Sequence, residues 1–468
     1  MYEISFVPKR SSQPIDRRKV SGMVSNMASG ISAFMAQVER KKSELEGQEK
    51  GDRESASFRR EVRELLQSVV ATIRHSAGTI IGSSNIRTIC APDEHLKKEQ
   101  RDILDDLQGI PMHSSAHGFV RDRDSLTCAS AHTTYWGNRP NSLVILNMDA
   151  KNFFPSISSV IVRTALEKNG VRPNDVNRII NLCMCRGDTG MAISVIEGLR
   201  RSGFMETAAM DEVVKILENR EGNLESSAVN TIAFALCQGF LSLGPAINMD
   251  HKFLPQGAPT SPFLSNLAMK VVDIRLSAMA RSFRGFYTRY ADDLTVSWEA
   301  RQKGKIIDGM YRCAELVLAE YGIEMNRKKK RVMGCGVRQD IVGFCVNSGH
   351  PTISRKKREN IRAAIHSELV RGSQRLRTGK RPLRKFENYE SPEPSHKRIC
   401  HLMGNIGYVQ MAHPEEARRY FNSMNRVMAP ASVREQTGDA FTSQVGLEAE
   451  GTCGTGGENF VGHEVTLS

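Results

Sequence analysis

The chain has 468 residues, more than one hydrophobic core ordinarily serves, so about two to four subdomains are expected. A composition of 40% apolar, 25% charged and 6% aromatic residues suits a globular protein and argues against an extended disordered chain. No apolar run reaches the roughly eighteen residues of a membrane-spanning helix, and the net charge of +13 turns attention to polyanionic partners.

The start of the chain has no basic-then-apolar export pattern. Its first fifty or so residues read as polar and irregular, with a charged stretch from Glu39 to Arg60. Phe58, Val62, Leu65, Leu66, Val69, Val70 and Ile73 then fall at three- and four-residue spacing, which predicts a helix. Residues 1–84 are therefore expected to form an N-terminal helical extension. From about residue 86 to 347 short β-like runs alternate with amphipathic helices. Leu143-Val144-Ile145-Leu146 suits a strand buried on both faces. The charged, helix-prone stretch from Arg186 to Ser227 reads as an insertion. Ser261-Pro262 opens a helix whose apolar residues include Leu264, Leu267, Val271 and Ile274. Gly285 to Trp298 reads as a hairpin, because Leu294, Val296 and Trp298 alternate with Thr295 and Ser297.

Beyond Ile353 the pattern is helical with basic faces. Between Asn326 and Cys400 there are twenty Lys or Arg against six Asp or Glu, a local balance of +14 that accounts for the whole surplus. A polar stretch, Lys380 to Lys397, precedes a last helix starting near Pro414. Residues 441–468 hold six glycines, four glutamates and no Lys or Arg, a composition that predicts disorder from about residue 431. Ten scattered cysteines are too sparse for a disulfide scaffold, and Cys183 with Cys185 lacks the second ligand pair of a zinc site. Reduced thiols and a cytoplasmic location are the expectation. His113 and His117 sit four apart, but no glutamate follows His113 in the metalloprotease position.

Three carboxylates stand out. Asp149 ends the apolar strand, and Asp292 with Asp293 occupies the hairpin tip. An acid at the end of a buried strand is costly without a partner. Two divalent cations about 4 Å apart would relieve that cost and clamp the attacking and leaving oxygens of a phosphoryl transfer. Asp-Asp is also good turn chemistry on its own.

Order along the chain favours the first reading. Phe286-Tyr287-Thr288-Arg289 leads into Tyr290-Ala291-Asp292-Asp293, and together they resemble the catalytic hairpin of reverse transcriptases. Met148-Asp149-Ala150-Lys151-Asn152-Phe153-Phe154-Pro155 resembles their first acidic motif, and Leu254-Pro255-Gln256-Gly257-Ala258-Pro259-Thr260-Ser261-Pro262 their nucleotide-pocket motif. Gly322-Ile323-Glu324-Met325-Asn326 with Lys329, then Val342-Gly343-Phe344, resemble the motifs that end the palm. Arg87 to Gln100 and His117-Gly118-Phe119-Val120-Arg121 resemble the finger motifs of the bacterial branch.

The resemblance implies an α+β right-hand polymerase: fingers and antiparallel-sheet palm over residues 85–350, and a basic helical thumb over 351–430. It implies an RNA-directed DNA polymerase using two Mg²⁺ ions held by Asp149, Asp292, Asp293 and the Ala150 carbonyl. Oxygen-only ligation suits that hard cation. Phe154 would be the steric gate against a 2′-hydroxyl, Gln256-Gly257 and Tyr290 would line the nucleotide pocket, and Arg87 would grip the triphosphate. Lys329 would protonate pyrophosphate, although it also reads as one of five consecutive surface cations. Arg355, Lys356, Lys357 and Arg358 would hold a template–primer duplex.

Cys128-Ala129-Ser130-Ala131-His132 and Ile341-Val342-Gly343 keep part of the elements typical of retron enzymes and lose their Asn and Thr. A divergent retron enzyme is the closest resemblance, with a non-retron defence enzyme next. It implies a cognate non-coding RNA as template, deoxynucleoside triphosphates as substrates, a branched RNA–DNA product, an effector protein in an anti-phage system, and no membrane partner. An RNA-dependent RNA polymerase is the competing enzyme reading, disfavoured by Phe154. An RNA-binding scaffold with a decayed palm is disfavoured by the intact aspartates.

Overall fold

The computed structural model describes residues 2–8, 17–46, 52–83, 86–204, 207–218, 223–300, 304–378 and 396–428. The expected disordered tail and nearly all of the Lys380–Lys397 stretch lie outside them. The chain divides into two compact units, Met1–Thr352 and Ile353–Ser468. Helices and antiparallel sheets are mixed in the first unit, and no described helix is long and apolar enough to cross a membrane.

The site of interest is carried by a four-stranded antiparallel sheet in the order Phe286–Tyr290, Asp293–Glu299, Leu143–Asp149, Arg331–Met333. Leu143–Asp149 is the inner strand expected from its apolar run, paired on both edges. The hairpin forms as expected, and every residue from Leu294 to Ser297 is buried together with Trp298. Leu294, Val296 and Trp298 join the apolar core shared with helices Ser261–Ser282 and Gly304–Glu320. The alternate residues face a polar layer instead. His132, from helix Ser125–Tyr135, bridges Ser297 Oγ (2.6 Å) and Thr288 Oγ1 (2.7 Å), so the second face is also closed.

Two sequence readings need correction. Helix Ser261–Ser282 is capped at Thr260, and its inner stripe runs Leu264, Leu267, Ala268, Val272, Leu276 and Ala280, while Ile274 is exposed. The buried row continues at Val272 and Leu276 by helical spacing, and Asp273, an acid, is also inside. The opening residues are not irregular. Tyr2–Pro8 is a strand paired antiparallel along its length with Ile86–Pro92, and Arg17–Glu46 is a helix. Val20, Val24, Met27, Ile31, Phe34 and Val38 form its buried stripe at three- and four-residue spacing, diluted in sequence by the polar residues between them.

That helix and Asp52–Ser83 share a second core with helices Thr189–Arg201, Thr207–Glu218 and Asn223–Phe240. The N-terminal helices thus pack in one cluster with helices that begin in, and continue beyond, the Arg186 to Ser227 stretch. Gly239 permits its close crossing: a Cβ there would stand 2.5 Å from the Ala77 Cβ.

In the second unit, helices Arg355–Thr378, His396–Ala412 and Pro414–Met428 gather Ile361, Ile365, Leu402, Ile406, Val409, Ala417 and Met424 inside. Arg358 pairs with Glu416, the Lys357 ammonium lies 3.7 Å from the centre of the Tyr408 ring, and Arg355 bonds Glu359 at 2.7 Å.

Candidate active site

Strand register brings the acids together. Asp149 is directly opposite Asp293, and the Ala150 amide donates to the Asp292 carbonyl at 2.9 Å, closing the end of the sheet. The Asn326 amide donates to the Asp149 carbonyl at 2.8 Å, and Lys151 N–H donates to the Glu324 carbonyl at 2.8 Å. The segment Glu324-Met325-Asn326 therefore locks the other side. Asp149 is 6% exposed. Its Oδ1 accepts from Lys329 Nζ at 2.6 Å and its Oδ2 from Asn326 Nδ2 at 3.2 Å.

Electrostatics mark the cluster as short of positive charge. Burial, then the Asp292 and Asp149 charges, push the Asp293 carboxyl up to about 6. Burial and Asp149 also raise Asp292, with Lys329 and Arg87 acting in the opposite sense. Burial pulls the Lys329 ammonium down, but Asp149, Asp292 and Asp293 outweigh it and leave its pKa raised. Three carboxylates and one backbone carbonyl at Ala150 make an all-oxygen donor set with excess negative charge, which fits a hard divalent cation. Among the described residues no three acidic, imidazole or thiol groups are gathered to hold a metal as they stand. Asp149 is instead turned onto Lys329 and Asn326.

The hairpin tip is held by a buried ion network that sequence reasoning missed. Ala291 takes a left-handed φ of 56°, uncommon for a residue with a Cβ. Its carbonyl accepts from Arg289 Nη1 at 3.1 Å. The same guanidinium, fully buried, donates to both Asp273 oxygens (2.8 and 2.7 Å) and to Asn266 Oδ1 (2.9 Å). Tyr287 adds its hydroxyl to Asp273 at 3.0 Å. The available signal was Asp273 itself, an acid inside the apolar run Val271-Val272-Asp273-Ile274.

Gly118 lies against the same turn. A Cβ there would stand 2.6 Å from the Ala291 nitrogen. Gln256-Gly257 docks on strand Ile86–Pro92, which carries Arg87. The Cys90 amide donates to the Gln256 carbonyl at 2.7 Å, and Gly257, at φ 132°, leaves no room for a Cβ beside the Cys90 carbonyl. Phe154 is half-buried against Phe153, with ring centres 5.4 Å apart. Tyr290 and Phe154 both approach Phe119.

Arg87, Phe154, Gln256, Gly257, Tyr290 and Lys329 thus all belong to the unit that carries the three aspartates. Arg355, Lys356, Lys357 and Arg358 belong to the second unit. There Arg358 serves internal structure, while Lys356 has no ion-pair or hydrogen-bond partner among the described residues.

Residues 242–361 match the family model described as reverse transcriptase (RNA-dependent DNA polymerase). The retron Mx162 reverse transcriptase of Myxococcus xanthus is 29% identical over 394 residues, 81% of this chain and 65% of that protein. The retron Ec86 reverse transcriptase of Escherichia coli is 37% identical over 285 residues, 60% of this chain and 65% of that protein. The chain therefore spans just under two thirds of the length of these relatives. A telomerase structure from Candida albicans, covering 77% of this chain and 64% of its own, aligns at 13% identity and a TM-score of only 0.32. Residues 242–361 thus resemble the reverse transcriptase family, and the relatives that match more of the chain are retron reverse transcriptases.

Proposed function

We propose that the protein is an RNA-directed DNA polymerase of the retron type, copying an RNA template from deoxynucleoside triphosphates. The observation that carries this is the convergence of Asp149, Asp292 and Asp293 at one end of the sheet, where burial and mutual repulsion raise Asp292 and Asp293. On this reading residues 85–350 act as fingers and palm, residues 351–430 as thumb, and the helical cluster of the N-terminal extension supports the fingers.

Asp149, Asp292, Asp293 and the Ala150 carbonyl would hold two Mg²⁺ ions. Bound there, the ions supply activation of the primer hydroxyl and neutralisation of charge on the departing pyrophosphate. With Asp149 holding a cation, Lys329, which now donates to Asp149 Oδ1, would be free to face the leaving phosphates as an ammonium. Arg87, whose charge is felt at Asp292, would grip the same phosphates. The Gln256-Gly257 turn would pack against the nascent pair, and the Phe154 ring would exclude a 2′-hydroxyl. Lys356 and its basic neighbours in the second unit would track the phosphates of the template–primer duplex.

The similarity to retron reverse transcriptases extends the proposal to a cognate non-coding RNA as template, a branched RNA–DNA product and an effector protein in anti-phage defence. The test is primer extension on RNA with Mg²⁺, comparing deoxy- with ribonucleotides for the wild type and Asp292→Ala/Asp293→Ala. Deoxynucleotide incorporation lost in the double variant is expected. A preference for ribonucleotides would replace this reading with an RNA-dependent RNA polymerase.

A further inference from the structure

Phe119 is a large apolar side chain left 51% exposed, and its backbone sits at φ 59°. A bulky residue in the left-handed region costs on the order of 1–3 kcal/mol and persists only where the surroundings enforce it. Here they do. The loop before it is tied by Arg123, whose Nη1 donates to the carbonyls of His113 (2.8 Å) and Ala116 (2.6 Å). The His117 amide donates to the Arg289 carbonyl at 2.8 Å, and Asn266 Nδ2 donates to the Gly118 carbonyl at 2.8 Å. Gly118 itself touches the Ala291 turn. Residue 119 is thus presented from a backbone fixed to the hairpin that carries Asp292.

The presented ring meets two others. Its centre is 6.3 Å from that of Phe154, inclined at 46°, and 6.5 Å from that of Tyr290, inclined at 37°. Phe154 is therefore flanked by Phe153, buried in the core at 5.4 Å, and by Phe119 on the solvent side. Phe153 is packed in the core, and Phe119 is the exposed aromatic neighbour of Phe154. An exposed phenyl group gains little from water, and a strained backbone gains nothing by itself, so this placement asks for a role at the ring it backs.

We propose that Phe119 is a specificity-determining residue of the nucleotide site, holding the Phe154 ring upright against the sugar of the incoming nucleotide. The inference rests on the proposed polymerase reading and adds to it. Removing the Phe119 ring frees Phe154 to tilt outward and admits a 2′-hydroxyl, while the carboxylates and the hairpin stay in place.

The experiment uses the full chain on a primed RNA template, measuring kcat/KM for a deoxynucleoside triphosphate and its ribonucleotide counterpart. Phe119→Ala should lower the deoxy-to-ribo ratio by about 2- to 12-fold, the range one aromatic pair is worth, through a rise in ribonucleotide efficiency. Phe119→Tyr, which keeps the ring, should hold the wild-type ratio. A general packing defect would lower both efficiencies in parallel and leave the ratio alone, and that outcome overturns the inference. So does a change confined to affinity for the RNA template. If the wild type incorporates deoxynucleotides and only the Phe119→Ala effect fails, the inference falls and the polymerase reading stands. If the wild type incorporates neither class, both fall.

Discussion

Replacing Arg289 with Met separates the support of the hairpin from its chemistry. The guanidinium and Asp273 are both fully buried and joined by two hydrogen bonds, with Asn266, Tyr287 and the Ala291 carbonyl completing the network. Arg289→Met leaves Asp273 in the core with the Tyr287 hydroxyl alone among these donors. Breaking a buried pair on one side costs about 3–5 kcal/mol, because the charge that stays behind is uncompensated. With an unfolding entropy of roughly 2.1 cal/mol/K per residue, the first unit of 352 residues loses about 0.74 kcal/mol for each kelvin near its midpoint. The expected fall in Tm is then about 4–7 °C. Replacing both partners, Arg289→Met with Asp273→Leu, removes the stranded charge and should recover most of that loss. Primer extension should not recover with it, since the Ala291 carbonyl has still lost the donor that holds the turn before Asp292. Thermal melting of the wild type, both single variants and the double variant makes the cycle. A double variant no more stable than Arg289→Met, or one with full polymerase activity, would refute the reasoning.

Four other outcomes are expected. Burial, with a smaller contribution from the His117 charge, pushes the His132 imidazole down to about 3, so it is neutral in the fold. Its stabilising effect is complete above the ordinary value near 6.5 and is lost as pH falls from there towards 3, because only the unfolded chain takes up the proton. The slope is about 1.4 kcal/mol per pH unit; Tm measured between pH 7 and pH 5 should fall less steeply in His132→Gln, and equal slopes would count against it. Gly118→Ala must displace the Ala291 backbone and should lower primer extension about 10- to 100-fold with a modest change in Tm; unaltered activity would show that the turn has slack. Lys356→Ala should reduce the salt dependence of duplex binding, log Kd against log salt, by about 0.9. Arg358→Ala should instead lower Tm through the lost Glu416 pair, and identical salt slopes for wild type and Lys356→Ala would remove Lys356 from the nucleic-acid surface.

What was legible in sequence and what was not divides by the range over which the information is carried. Asp149 and Asp292 could be read because each closes a short segment with its own local pattern, an apolar run or a two-residue alternation, and because strand register then places them at the same end of the sheet. Tyr2–Pro8 was missed because a strand is recognised as such by its partner, and Ile86–Pro92 lies some eighty residues away. Asp273 and Arg289 escaped for a similar reason. Asp273 interrupts an apolar run, but its partner Arg289 lies sixteen residues away on another element, and burial is tolerable only for the pair. Lys329 sits among four other cations, and no spacing rule separates it from them. Its contact with Asp149 does. On the proposed reading this contact is the state that divalent cations must displace. The raised Asp292 and Asp293 carboxyls and the single ammonium on Asp149 then describe one condition, an acidic cluster whose compensation is incomplete within the protein. The buried Arg289 cannot supply the missing charge, since both oxygens of Asp273 already claim it. On the proposed reading Arg289 shapes the turn, Lys329 alone faces Asp149, and bound cations would balance the rest of the charge at Asp149, Asp292 and Asp293.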